Sequence, residues 1–542
     1  MTSRPFGITL AVGSSRANHT GAWRTERPVY VDRMPPCNDA CGAGENVQRW
    51  LAQAEESDYE AAWRAIVEDN PFPAVMGRVC YHPCQTACNR AELDEAVGIH
   101  AVERFLGDRA IEAGWALPAA GSPTGRRILV IGAGPAGLSA AYHLRRAGHE
   151  VVVRDAAGQA GGMLRYGIPR YRLPRDVLDA EIERLVRLGV RLELSSLVTD
   201  LPAAMRDGGF DAAVVAVGAQ LAANAYVPAG DSAHVLDALH LLAAAAEGEP
   251  VALGRKVVVY GGGDTAVDAA RTVRRLGAAD AVIVYRRTRD RMPAHPEEVA
   301  AAEAEGVRMR WLTTITRADG GALEVERMEL DETGFPRPTG DVESLGADAV
   351  VLALGETADL SLVEGLDGVV VAGGVIQVGP DHATGRAGVF AAGDVVAGER
   401  TATVAVGHGK AAARAVGAWL AGDRYLHAPR PPLAGPDRLN TWYYADAPAS
   451  VQPELAVARR VSSFDEVVQG LDASTAVFEA RRCLSCGNCF ECDNCYGMCP
   501  DNAVIKLGTG ERYRFDYDYC KGCGLCAAEC PCGAIDMEAE PV

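Results

Sequence analysis

A short apolar strand runs straight into a glycine turn and a helix at Arg127-Ile-Leu-Val-Ile-Gly132-Ala-Gly134-Pro135-Ala136-Gly137, and few patterns restrict the fold of a chain more. In Gly-x-Gly-x-x-Gly the first glycine makes the turn, the second lets backbone approach a pyrophosphate, and the third lets helix and strand pack closely. The helix N-terminus then offers unpaired N–H groups to the phosphates. The next strand, residues 150–154, ends at Asp155, where an acid reaches ribose hydroxyls. A second unit begins Lys256-Val-Val-Val-Tyr-Gly261-Gly262-Gly263-Asp264-Thr265-Ala266. Its second strand, residues 281–285, ends in Arg286 and Arg287, and arginine at that place can pair with a 2'-phosphate. The plain alternative is a solvated basic strand end.

The chain has 16 cysteines, all in two terminal blocks, with none between Cys88 and Cys483. That segregation points to metal ligation in a reducing compartment rather than to disulfides. In the tail, Cys489-x2-Cys492-x2-Cys495-x3-Cys499-Pro500 is followed by Cys520-x2-Cys523-x2-Cys526-x3-Cys530-Pro531. In such a run three cysteines bind one [4Fe-4S] cluster and the fourth reaches across to the other. Cys489, Cys492, Cys495 and Cys530 are therefore expected on one cluster, and Cys520, Cys523, Cys526 and Cys499 on the second. Zinc would instead want two separated Cys pairs. The N-terminal block, Cys37-x3-Cys41 and Cys80-x3-Cys84-x3-Cys88, can complete one such site but not two. Cys532, outside every run, reads as a packed thiol.

A net charge of -19 leaves no basic stretch to neutralise phosphates, so nucleic acid is not an expected partner. The longest apolar runs fall well short of the roughly 20 residues that span a bilayer, so no membrane segment is expected. The apolar stretch 6–12 lacks the length and cleavage site of a secretory signal, and a cytoplasmic location follows.

From residue 126 to about 429, short apolar runs alternate with Gly-rich turns and Ala-rich amphipathic stretches, the pattern of open α/β sheets. The order of Gly132-x-Gly134-x-x-Gly137, Gly161-Gly162-Met163-Leu-Arg-Tyr-Gly167-Ile-Pro169, the Gly261 turn, Tyr285-Arg-Arg, Met292-Pro and Gly393-Asp394 resembles the small subunit of glutamate synthase. That family also includes the flavin part of dihydropyrimidine dehydrogenase. The resemblance covers residues 37–420 and implies FAD in the Gly132 unit, with Asp155 on the adenosine ribose and Asp394 on the ribityl chain. Pro135, Ala136, Gly162, Met163, Gly218 and Gly393 are counted with the flavin residues. NAD(P) is implied in the unit of Gly261, Gly262, Gly263, Asp264, Thr265, Arg286 and Arg287. The N-terminal region of these relatives binds two clusters, helped by an upstream Arg-Cys-x2-Cys-Gly that here stands instead at Arg482-Cys483-Leu-Ser-Cys486-Gly487. The resemblance thus implies one cluster on Cys37, Cys88, Cys483 and Cys486, and another on Cys41, Cys80 and Cys84 with Glu103 at the family's ligand position. The alternative is that Cys483 and Cys486 are spare thiols. No Cys-x2-Cys lies within the flavin and nucleotide parts, so a disulfide reaction of the thioredoxin-reductase kind lacks its dithiol. No side chain is expected to act as a catalytic acid or base, because the cofactors carry the chemistry.

The tail strings Cys495-Tyr-Gly-Met-Cys499-Pro-Asp-Asn and Tyr519-Cys520-Lys-Gly-Cys523-Gly-Leu-Cys526-Ala-Ala-Glu-Cys530-Pro resemble the ferredoxin-like delta subunit of 2-oxoacid:ferredoxin oxidoreductases. So does Thr20-Gly-Ala-Trp23-Arg-Thr-Glu-Arg27-Pro-Val, as if a reductase had been placed inside that subunit. The resemblance implies docking on a thiamine-diphosphate core that oxidises pyruvate, 2-oxoglutarate or an aryl 2-oxoacid such as phenylglyoxylate, with free ferredoxin as a second partner. The competing expectation is a glutamate synthase small subunit or an NAD(P)H:ferredoxin oxidoreductase. The expected fold is α/β, with two Rossmann-like domains, an N-terminal helical iron–sulfur domain and a C-terminal ferredoxin-like α+β two-cluster domain. The expected boundaries are 1–120 for the helical domain, 121–254 and 346–430 for FAD, 255–345 for NAD(P), 431–480 for a linker and 481–542 for the ferredoxin module.

Overall fold

Five parallel strands carry the first glycine turn, in the order Val389–Ala391, Ala212–Val215, Arg127–Ile131, Glu150–Arg154, Arg191–Glu193. This computed structural model describes residues 19–222, 227–228, 234–426 and 429–541, and the apolar stretch 6–12 lies outside them. Ile128, Leu129 and Val130 are fully buried, as a strand covered on both faces requires. Helix Pro135–Arg146 leaves the turn and packs along Ala402–Leu420 so closely that a Cβ on Gly409 would collide with the Ala136 carbonyl.

The second sheet is also parallel, in the order Arg308–Arg310, Asp280–Val284, Lys256–Gly261, Ala349–Ala353, Val235–Asp237. Ala349–Ala353 sits between Lys256–Gly261 and Val235–Asp237 in register. Val235–Asp237 and Ala349–Ala353 therefore belong to the nucleotide sheet, not to the FAD part where the boundaries at 254 and 346 put them. A meander of Thr313–Asp319, Ala322–Leu330 and Pro336–Gly346 covers one face, burying Ile315 and Val325 against Val258 and Val282.

The N-terminal helices Val47–Glu55 and Tyr59–Val67 are capped by Asn46 and Asp58, whose side chains accept from Arg49 N and Ala61 N. Pro73–Val79 lies against Ile99–Ala113 at backbone contact, since a Cβ on Gly77 or Gly107 would strike the facing main chain. Segment 431–480, expected as a linker, is part of this body. Its helix Ala473–Ala480 buries Ala480 among Trp50, Ile66 and Val102, and Ala476 and Leu471 against Ala101.

The two chain ends meet. Glu26–Tyr30 pairs antiparallel with Ile535–Ala539, from Glu26 opposite Ala539 to Tyr30 opposite Ile535. Val504–Lys506 pairs with Tyr513–Phe515 beside them. Residues 20–30, expected in the helical domain, thus complete the tail module. Arg24 donates to Glu540, and Arg33 pairs with Asp536. Among the described residues no helix is long and apolar enough to cross a membrane.

Candidate active site and cysteine sets

Both glycine turns open on one cleft of about 330 Å³ between the two sheets. On the flavin side it is lined by Gly132, Gly134, Pro135, Ala136, Asp155, Gly162, Met163, Gly218, Gly393 and Asp394. Gly137 is buried against the Gly132 carbonyl, where a Cβ would collide. A Cβ on Gly132 would strike the Ala216 carbonyl, whereas Gly134 meets nothing nearer than the Gly162 Cα at 3.9 Å. Tight turn, open approach and close helix packing thus fall on the three glycines in that order, as a bound pyrophosphate demands. The Asp155 carboxylate accepts from Ala133 N at 2.5 Å and Ala157 N at 2.7 Å, which ties the end of the second strand to the turn. Burial raises the pKa of Asp394, with Arg400 opposing the shift and Glu356 adding to it.

On the nucleotide side the cleft is lined by Gly263, Asp264 and Thr265. A Cβ on Gly261 would strike the Ala353 carbonyl and one on Gly262 the Tyr285 ring, while Gly263 has nothing within 4 Å. The same division of labour recurs, with the third glycine as the open one. Thr265 Oγ1 donates to Glu356 Oε1 at 2.9 Å, and Asp264 accepts from His295 N at 3.0 Å. Arg286 is exposed and Arg287 half-buried at the end of Asp280–Val284, and no acid pairs with either among the described residues. The chemistry of both turns fits a dinucleotide.

The cysteines gather in four sets. Cys37, Cys88, Cys483 and Cys486 surround a void of about 20 Å³. Cys499, Cys520, Cys523 and Cys526 surround another of about 20 Å³. Burial, then Cys489, Cys530 and Cys492, push Cys495 up to about 12. Burial, then Cys41, Cys80, Glu103 and Glu45, push the Cys84 thiol far above its ordinary value. Buried thiols and carboxylates crowded in this way ionise together only around a cationic centre, as an iron cluster supplies. Asn70 donates to both Glu103 and Glu45, so two buried carboxylates face the Cys41, Cys80 and Cys84 set. Cys532 is buried with its Sγ 3.7 Å from that of Cys530.

Each set adjoins the next. Val79 and Tyr81, on either side of Cys80, line the cleft. Cys37 and Cys41 lie one at each end of Pro36–Ala40 and join the two N-terminal sets. Gly487 N donates to Cys532 O at 2.6 Å, which brings Cys486 beside the first tail set. Cys495 and Cys499 end Asn494–Met498 between the two tail sets, and Cys523 is exposed at the far end.

Sequence reasoning missed Tyr81, Arg172, Glu356 and Arg400 in the cleft. Tyr81 had a signal in standing between Cys80 and Cys84; the other three reach the cleft only through tertiary folding. Glu45 was missed beside Glu103 because four residues after Cys41 it resembles an ordinary helix-leading acid.

Residues 126–409, just over half the chain, match the family described as pyridine nucleotide-disulphide oxidoreductase. Residues 22–115 match dihydropyrimidine dehydrogenase domain II, 4Fe-4S cluster, and residues 513–536 match a 4Fe-4S binding domain. The chain is 35% identical to the NADP(+)-dependent formate dehydrogenase subunit beta of Moorella thermoacetica, over 83% of this chain and 70% of that one. It is 31% identical to the NADPH-Fe(3+) oxidoreductase subunit beta of Geobacter sulfurreducens, over 84% and 76%. It is 38% identical to a putative glutamate synthase [NADPH] small chain of Cereibacter sphaeroides, over 65% and 91%.

Proposed function

The chain belongs to the pyridine nucleotide-disulphide oxidoreductase family, and from that premise we propose that it is the electron-transfer subunit of a multi-subunit 2-oxoacid oxidoreductase, joining a thiamine-diphosphate core to NADP(H). It is an FAD- and NAD(P)-dependent oxidoreductase with [4Fe-4S] domains, related to subunits of electron-transfer complexes. No cysteine lies within residues 126–409, so the disulfide chemistry in the family's name has no dithiol here. Electrons leave by the cysteine sets instead.

The 2-oxoacid reading is carried by one observation. The segments resembling a 2-oxoacid oxidoreductase delta subunit lie at opposite ends of the chain, and they pair strand to strand into one module. A reductase inserted into a docking subunit would keep that subunit's termini together in this way.

In this reading the N-termini of Pro135–Arg146 and Asp264–Arg275 hold the two pyrophosphates, and Asp155 and Asp394 orient the flavin's ribose and ribityl hydroxyls. Arg286 and Arg287 take the 2'-phosphate. FAD supplies the exchange between hydride and single electrons. The four cysteine sets, with Glu103 completing the Cys41, Cys80 and Cys84 site, would hold the clusters and supply one-electron transfer between the cleft and the tail. Oxidation of a 2-oxoacid releases two electrons, which with one proton convert NADP+ to NADPH. No side chain has to move a proton.

A second reading, a beta subunit serving a formate dehydrogenase, is favoured by the 35% identity over most of the chain. Copurification under anaerobic conditions separates the two. The expected result is a thiamine-containing partner, with flavin bleaching and NADPH formation on adding pyruvate, 2-oxoglutarate or phenylglyoxylate with coenzyme A. A partner that bleaches the flavin with formate alone would overturn the 2-oxoacid assignment.

A further inference from the structure

Three parts of the molecule meet at the Tyr81 ring. Tyr81 lies in the 80–84 loop, between Cys80 and Cys84, and lines the cleft onto which both glycine turns open. Its ring stacks on His295 with centroids 3.4 Å apart and planes within 4°. His295 belongs to the nucleotide part, and Asp264 holds it twice, from the main-chain N at 3.0 Å and from Nδ1 at 2.9 Å. Asp264 is the first residue of the helix whose N-terminus faces the pyrophosphate position. Arg172, from the flavin part, lies over the same Tyr81 ring and is fixed by Asp268 at 2.8 Å and Glu298 at 3.0 Å.

The loop's backbone needs such support. His82 has a φ of 52°, a left-handed conformation that a residue with a Cβ holds only when its surroundings dictate it. On its far side His82 stacks on His100 at 3.8 Å, and His100 is held between Gln85 and Gln452. The near side depends on Tyr81. The two rings are in van der Waals contact, so a shift of Asp264 that carries His295 with it displaces the residue next to Cys80.

We propose that Tyr81 is a positioning residue that seats the 80–84 loop against the flavin cleft, and that Asp264 and His295 make this seating respond to the bound nucleotide. The inference rests on Cys80 and Cys84 holding a cluster. The electron exchange it serves is balanced as NADPH and two oxidised clusters giving NADP+, one proton and two clusters each reduced by one electron. By linkage, a nucleotide that shifts the cluster is itself bound differently when the cluster is reduced.

The test uses the holoprotein with its flavin and iron, as wild type, Tyr81→Phe, Tyr81→Leu and His295→Ala. Amide hydrogen exchange over residues 80–86 is measured with and without NADP+, alongside the midpoint potential of the N-terminal cluster signal by electron paramagnetic resonance. In the wild type and Tyr81→Phe, NADP+ is expected to change exchange in this loop about tenfold, within the roughly 5- to 150-fold span of site-to-site coupling. The cluster potential moves with it. In Tyr81→Leu and His295→Ala both responses are lost while NADP+ still binds. Should His295→Ala, a change outside the loop, keep the full response at unchanged iron content, the coupling is not carried by the stack and the proposal fails. An iron analysis of the wild type one cluster short would overturn it through its premise, leaving the partner assignment untouched.

Discussion

Among the described residues, Arg286 and Arg287 lack the acid partner that several neighbouring arginines of the nucleotide part have. Arg271 and Arg275 are locked on Glu305, Arg289 is paired with Glu303 at 2.8 Å, and Arg308 is paired with Asp280. Two adjacent guanidiniums left without an acid at the end of Asp280–Val284 suit the proposed 2'-phosphate contact, since in such units the ribose is read at that strand end. Arg286→Ala and Arg287→Ala are each expected to raise KM for NADPH about tenfold, the worth of one charge-assisted hydrogen bond, and to leave kcat and the NADH reaction nearly unchanged. Steady-state kinetics with both nucleotides and an artificial acceptor checks this. Equal losses with NADH and NADPH would mean that the arginines maintain the strand end and do not read the phosphate. The place of these residues at a strand end was legible in the sequence because a strand, a glycine turn and a strand end are separated by a fixed length of chain. Glu356 and Arg400 were not, since the Thr265 to Glu356 contact spans 91 positions and leaves no local trace.

At the level of elements, Ala473–Ala480 shows how a segment read as a linker comes to hold a site together. It carries Arg482 into the N-terminal helices, where the guanidinium is 1% exposed and donates to Glu479, Asp94 and the carbonyls of Glu95, Ala96 and Ala447. Glu479, fully buried, also accepts from Gly98 N at 2.6 Å and Ser450 N at 2.7 Å. Removing one partner of such a pair strands the other charge, so Arg482→Met is expected to cost about 3–5 kcal/mol locally. The Cys483 and Cys486 site should then lose iron on gentle heating before the tail sites do, with protease cleavage near residue 480 as the parallel readout. Arg482→Met with Glu479→Leu should recover only the part due to the stranded Glu479 charge, since Gly98 N, Ser450 N and the three carbonyls still lose their partners. Single-variant stability equal to wild type would show that the network is solvated. The strands of the first glycine unit were legible because each is a long apolar run bounded by turn residues. Val235–Asp237 is three residues long and Ala349–Ala353 returns to its sheet after the whole meander, so neither announces its neighbour. The pairing of Glu26 with Ala539 is beyond any periodicity argument, and only the likeness of both ends to one subunit hinted at it.

Across the whole molecule, the order of the cysteine sets makes a directional statement. Cys80 adjoins the cleft, Cys523 is exposed at the other end, and the Cys37, Cys88, Cys483 and Cys486 set is the only described joint between the N-terminal and tail sets. That joint is built from both halves of the sequence, so breaking it should divide the function without dismantling either half. Cys486→Ala removes a thiol whose Sγ accepts from Asn89, and is expected to leave the helices and the tail strands intact. The variant is expected to keep its FAD and to contain about four fewer irons than the roughly sixteen of the wild type. Mixed anaerobically with NADPH, it should bleach its flavin at the wild-type rate, because hydride transfer happens in the cleft. The tail clusters, followed by electron paramagnetic resonance, should then stay oxidised on the timescale in which the wild type reduces them. Electrons supplied from the tail side should show the mirror image, reducing the tail clusters and leaving the flavin oxidised. Tail clusters that fill from NADPH as fast as in wild type, at the reduced iron content, would mean that electrons bypass this joint, and the line from cleft to Cys523 would not be the route.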